Sequence, residues 1–157
     1  MASALAGAAL ALIGFVITQS ILKFFIEPIQ EQRKLVGEVA NAFVVHSVSH
    51  DTSWKEFLEK TEDTPAEREK ITETQKALRD LSGRLRSSLW AIPFYGLFAR
   101  MTLVPKAADV MEAADRVIGW ANNLVHPQAD DRIREHQRIV SQKLGIAQKY
   151  EKLQAKS

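Results

Sequence analysis

The sequence predicts an all-α protein, an N-terminal transmembrane helix that continues into an antiparallel helical bundle. Three observations predict it. An uncharged apolar run, ALAGAALALIGFVITQSIL, occupies Ala4 to Leu22. Apolar residues then recur at helical spacing along most of the remaining chain, and no sustained alternation of β type competes. Glycine and proline are few, 7 and 5 of 157 residues, and the prolines fall where the pattern changes.

The run from Ala2 to Leu22 carries no charged side chain. At about 1.5 Å per residue it reaches roughly 31 Å, the thickness of a bilayer's hydrocarbon layer. Its polar residues, Ser3, Thr18, Gln19 and Ser20, lie toward its ends, and Lys23 follows where a long side chain reaches the headgroups. A signal peptide would carry a basic segment ahead of the apolar run, and none is present. A buried core helix would be shorter or amphipathic. The reading is therefore an anchor over residues 2–25 and a helical domain over residues 26–157. Lys23, Arg33 and Lys34 all follow the run, which places the N-terminus outside and the C-terminal domain in the cytosol. Within the run Ala4, Gly7, Ala11, Gly14 and Thr18 form one stripe of small residues, a surface for self-association or for another membrane helix.

Pro28 is expected to kink the helix near the membrane surface without ending it. Beyond it Ile29, Arg33, Val36, Ala40, Phe43 and Ser47 keep helical spacing, with Val39 and Ala42 widening the face. One long helix is expected to about Val48. Ser53-Trp54-Lys55-Glu56 opens a short helix to about Glu62, and Thr64-Pro65-Ala66-Glu67 caps a longer one. That helix carries Ile71, Leu78, Leu81, Leu85 and Leu89 on one stripe, with charge elsewhere. Ala108, Met111, Ala114, Val117, Trp120, Ala121 and Leu124 mark the next helix, which His126-Pro127 stops. A last helix is expected from about Ala129 to Leu153, with Ile133, Val140, Leu144, Ala147 and Tyr150 inward.

The stretch LWAIPFYGLFARMTLV, residues 89–104, has one charge, Arg100, and is interrupted by Pro93. It is too short and broken to span a bilayer. The reading favoured here is a buried crossover between helices, since burial is the commoner fate of such residues. The competing one is an interfacial segment, with Trp90, Phe94, Tyr95 and Phe98 at the membrane surface together with Lys23, and Arg100 toward lipid phosphate.

Four stretches, FIEPIQEQR from Phe25, AIPFY from Ala91, LVP from Leu103 and IGWANNL from Ile118, together resemble a group of short bacterial proteins with one N-terminal membrane helix and a cytosolic helical domain. The resemblance extends over most of the chain. It implies a bacterial inner-membrane setting and transfers no functional residue.

A net charge of +2 without a clustered basic face does not argue for nucleic acid, and the absence of cysteine excludes disulfides and thiolate metal sites. There is no phosphate-cradling glycine loop and no nucleophile motif. His46 and His50 stand four apart, as a metal pair can, but the sequence is not H-E-x-x-H, and a site would need a further ligand that only His126, His136 or carboxylates could supply. Asp130 and Asp131 suit the helix dipole of the last helix. No catalytic residue or cofactor follows from these features. The function expected is that of a membrane-anchored interaction or scaffold protein whose partners are the bilayer and a second copy or another membrane protein. The alternatives are a small metal-dependent enzyme using His46 and His50, and a membrane-surface sensor acting through residues 89–104.

Overall fold

The structure is a computed structural model, and it describes residues 2–47, 65–126 and 130–146. α1 (Ala2–Ile21) passes through a π-helical turn (Leu22–Ile26) into α2 (Glu27–Ser47) without a break. The turn lies directly ahead of Pro28 for a steric reason. A proline has no N–H, and its ring crowds the carbonyl four residues back, here that of Phe24. Widening the helix by one residue frees that carbonyl, and the Glu27 N–H donates to the Leu22 carbonyl five residues back. At the place where a kink is expected, the helix carries a π-turn and runs on.

α3 (Pro65–Ala91) begins with Pro65 as its first helical residue, where the missing N–H costs nothing. α4 (Tyr95–Arg100), α5 (Ala107–Asn123) and α6 (Asp130–Lys143) follow. Among the described residues there is no strand, so the fold is all-α.

α5 is the hub, packing along both α3 and α6, while α2 lies against α3. Its inner face is Val110, Ala113, Ala114, Val117, Trp120 and Ala121, and the alanines let the neighbouring helices approach closely. Trp120 is fully buried and its ring lies 5.6 Å from that of Phe43 on α2. α3 contributes Leu78, Leu81 and Leu85, with Ile71 and Leu89 at the margins, as its spacing predicts. Polar side chains lock the register. The buried Ser82 hydroxyl donates to the Ala114 carbonyl at 2.8 Å, and Gln75 Nε2 donates to the Ala121 carbonyl at 3.0 Å. Lys143 Nζ joins Glu112 (2.8 Å) and Asp109 (3.2 Å), tying the end of α6 to the start of α5.

Two faces and one helix end differ from the expectation. On α2 the buried residues are Gln32, Leu35 and Val39, while Arg33 is exposed, so the inner stripe is turned by about one residue. Gln32 can go inside because it finds a polar partner there. On α5 the first turn buries Val110, and Ala108 and Met111 face outward. α6 stops at Lys143 rather than running on, because Gly145 takes a left-handed conformation (φ +67) and its N–H bonds back to the Gln142 carbonyl. The expected short helix from Ser53, the Thr64 cap, Ala147 and Tyr150 lie outside the described residues.

Candidate membrane-facing surface

Long aliphatic and aromatic side chains on α1 and the π-turn point away from the rest of the chain. Leu10, Leu12, Ile13, Phe15, Val16, Ile17, Ile21, Leu22, Phe24 and Ile26 are all exposed. Burying such a side chain is worth about 1.5–3 kcal/mol, so ten of them forgo roughly 15–30 kcal/mol in water. That exceeds the net stability of a typical domain, about 5–15 kcal/mol. The helix is long and apolar enough to cross a membrane, and none of its most apolar stretch is buried against the protein. Two of its hydroxyls are satisfied within the helix: Thr18 donates to the Gly14 carbonyl at 2.9 Å and Ser20 to the Val16 carbonyl at 2.8 Å.

A second apolar surface adjoins the lower end of this helix. α3 ends at Ala91, Pro93 lies in the turn, and α4 follows. Trp90 is 90% exposed and Phe94 75%, with Leu97 and Met101 also outward. Phe94, Leu97 and Met101 succeed one another along α4, since the Leu97 N–H bonds to the Phe94 carbonyl and the Met101 N–H to the Leu97 carbonyl. Two non-glycine residues with left-handed backbone, Phe94 (φ 53) and Thr102 (φ 58), bracket the helix. Such a conformation costs a bulky residue about 1–3 kcal/mol and persists only where the surroundings impose it.

Three contacts impose it here. The Phe25 ring lies 6.5 Å from that of Phe94, nearly parallel, and 6.0 Å from that of Phe98. The Tyr95 hydroxyl accepts from Gln32 Nε2 at 2.7 Å and donates to the Pro105 carbonyl at 2.7 Å. Arg33 Nε donates to the Leu103 carbonyl at 3.2 Å. Ile92 and Val104 are buried beneath. Half-burial pushes the Tyr95 hydroxyl's pKa up, against the opposing bond from Gln32, so it stays protonated and keeps its donor. Gln32 Oε1 is buried without a hydrogen-bond partner.

This geometry corrects the buried-crossover expectation for residues 89–104. Ile92 and Val104 are inside, but Trp90, Phe94, Leu97 and Met101 are out. Of the residues assigned to an interface by sequence, Trp90, Phe94, Lys23 and Arg100 are exposed, while Tyr95 and Phe98 are half-buried against the stem. Leu97 and Met101 were missed, although they share a helical face with Phe94. The role of Phe25 as the aromatic pad for Phe94 and Phe98 has no signal in the local sequence pattern.

Beside the π-turn an open groove of about 550 Å³ is lined by Lys23, Glu27, Glu31, Arg84, Ser87 and Ser88, among others. Arg84 grips Glu38 through Nη1 and Nη2 (2.7 and 3.3 Å), with Glu31 at 3.5 Å. The Glu38 bond chiefly, with the charges of Asp80 and Glu31 added, raises the Arg84 pKa. Away from this surface, the His136 ring packs against Gly119, where a Cβ would stand 2.6 Å from Cε1. Its Nε2 is 3.3 Å from Asn123 Nδ2 and its Nδ1 is buried without a partner. Burial first, then the charge of Arg116, lowers its pKa, and Glu135 opposes them.

The stripe residues Gly7 and Gly14 have no neighbour within 4 Å for an added Cβ, and Ala11 and Thr18 are exposed. Ala4 also lies on α1. His46 lies in the last turn of α2, and His50 falls outside the described residues. No cluster of three His, Cys, Asp or Glu side chains suited to a metal occurs among the described residues. No protein-family model, curated protein or solved structure matches the chain. The resemblance to short bacterial membrane proteins therefore rests on its four sequence stretches alone.

Proposed function

We propose that the chain is a single-pass membrane protein acting as an interaction or scaffold component, with residues 2–25 as the anchor and residues 26–157 as an antiparallel helical bundle in the cytosol. The observation that carries this reading is the unbroken helix from Ala2 to Ser47, whose apolar part leaves its large side chains uncovered while its lower part joins a packed core. An apolar surface of that size needs lipid or protein over it. The Lys and Arg residues on its C-terminal side support the cytosolic assignment, and the motif resemblance supports a bacterial inner membrane. The bundle's outer faces, charged and cross-tied between helices, suit a part that works in water.

The test is topological. The full chain should stay with membranes through an alkaline carbonate wash, and a C-terminal reporter active only after export should stay silent. Release by carbonate, or strong reporter activity, would overturn the anchor or its orientation.

A further inference from the structure

We propose that the outward face of α4, formed by Phe94, Leu97 and Met101 with Trp90 at the end of α3, is a second membrane contact that inserts into the headgroup layer of the same bilayer. The proposal rests on the anchor reading above. Position argues for it first. The uncharged run ends at Leu22, and Phe25 lies about 5 Å further along the helix, at the depth of the headgroups. The Phe25 ring is the pad on which Phe94 and Phe98 rest, at 6.5 and 6.0 Å. The outward face is thereby continuous with the anchor and set at its boundary with water.

Composition argues next. Tryptophan and phenylalanine beside aliphatic side chains suit the boundary between headgroups and acyl chains. The cations around them suit lipid phosphate. Arg100 and Lys106 are exposed and form no ion pair among the described residues, and Lys23, the residue directly after the uncharged run, is likewise unpaired and exposed. The held backbone is the third argument. A mobile loop would tuck such side chains away. Here Tyr95 is fastened to Gln32 and Pro105, Arg33 to Leu103, and Phe94 is kept left-handed, with the result that its ring is 75% exposed. The inward half of the segment is the fastening and the outward half is the wedge. Two attachments, one crossing and one lying in the interface, fix the tilt of the packed helices relative to the bilayer.

The absence of cysteine in the chain allows single thiols to be placed without interference. Leu97→Cys and Met101→Cys, each labelled with an environment-sensitive fluorophore, are reconstituted as full chains in vesicles of zwitterionic and anionic phospholipid. Val125→Cys, at a similarly exposed apolar residue beyond the far end of α5, is the control. At 97 and 101 the emission should shift to the blue, headgroup-region spin-labelled lipid should quench it strongly, and aqueous iodide should quench it several-fold less than at 125. Iodide quenching equal to that at 125, with the protein resistant to carbonate, would overturn the wedge and leave the anchor standing. Protection from iodide without quenching by the lipid label would overturn it in favour of a contact with a second copy or another protein. Lipid quenching in a protein that carbonate releases would keep the wedge and overturn the anchor.

Discussion

The contact between Gly119 and His136 allows a sharp test of how α5 and α6 are joined. In Gly119→Ala the new methyl would stand 2.6 Å from His136 Cε1 and 2.8 Å from Nε2, too close for either to remain in place. Displacing a packed ring costs about 1–3 kcal/mol. The same change replaces the poorest ordinary helix former with the best, a gain of about 1 kcal/mol. The net effect in the wild-type background is therefore a loss between about zero and 2 kcal/mol. In a His136→Ala background the clash is gone and only the gain remains, so the substitution should stabilise by about 1 kcal/mol. The two backgrounds differ by about 1–3 kcal/mol, within the range measured for contacting residues. Thermal unfolding followed by far-UV circular dichroism in mild detergent reads this out, at about 2–4 °C per kcal/mol for a domain of this size. If Gly119→Ala has the same sign and size in both backgrounds, the ring does not lie over that glycine.

The same histidine predicts a pH dependence. Its folded pKa is depressed, so the stability it contributes is present above its ordinary value of about 6.5 and lost as pH falls through the folded value, and His136→Gln should flatten the decline in melting temperature as pH falls below about 6.5. Tyr95→Phe removes the hydroxyl shared by Gln32 and Pro105, at a cost of about 1–3 kcal/mol, and should speed amide exchange at Leu97, Met101 and Leu103. Unchanged exchange would mean the hydroxyl does not hold α4. Leu85→Asp, at a position with no exposure, should cost about 4 kcal/mol or more, whereas Glu38→Gln, which breaks a half-exposed ion pair, should cost under about 1 kcal/mol. A reversed order in urea titrations would show that charge rather than packing joins α2 to α3. Gly7→Ile and Gly14→Ile should reduce crosslinked oligomers in native membranes relative to Leu10→Ile, because small residues permit close helix approach in lipid. Equal crosslinking would move the assembly surface off α1.

The inner face of α3 was legible because charged residues fill its other sides, leaving one possible stripe. The face of α2 was harder. Its inward polar residue, Gln32, meets a hydroxyl 63 positions away, and no local pattern announces such a partner. At the first turn of α5, Val110 and Met111 are both apolar neighbours, and periodicity alone does not choose between them. The aromatic segment shows the same limit. Its composition marks an unusual surface, but which rings turn inward depends on where Phe25 stands, and that is set by tertiary packing. The fit of His136 over Gly119 was invisible for the same reason, since a glycine within a helix reads in sequence only as a weak point.

The π-turn ahead of Pro28 has a mechanical consequence. Because it relieves the proline without breaking the hydrogen-bonded chain, Ala2 to Ser47 form one shaft of roughly 70 Å. A domain on a loose tether turns freely about its attachment, whereas one built onto a shaft takes its heading from whatever grips the other end. Any rotation imposed on α1 about its own axis would be carried into the packed helices, so whatever gripped the apolar segment would decide which flank of α3, α5 and α6 faced a neighbour.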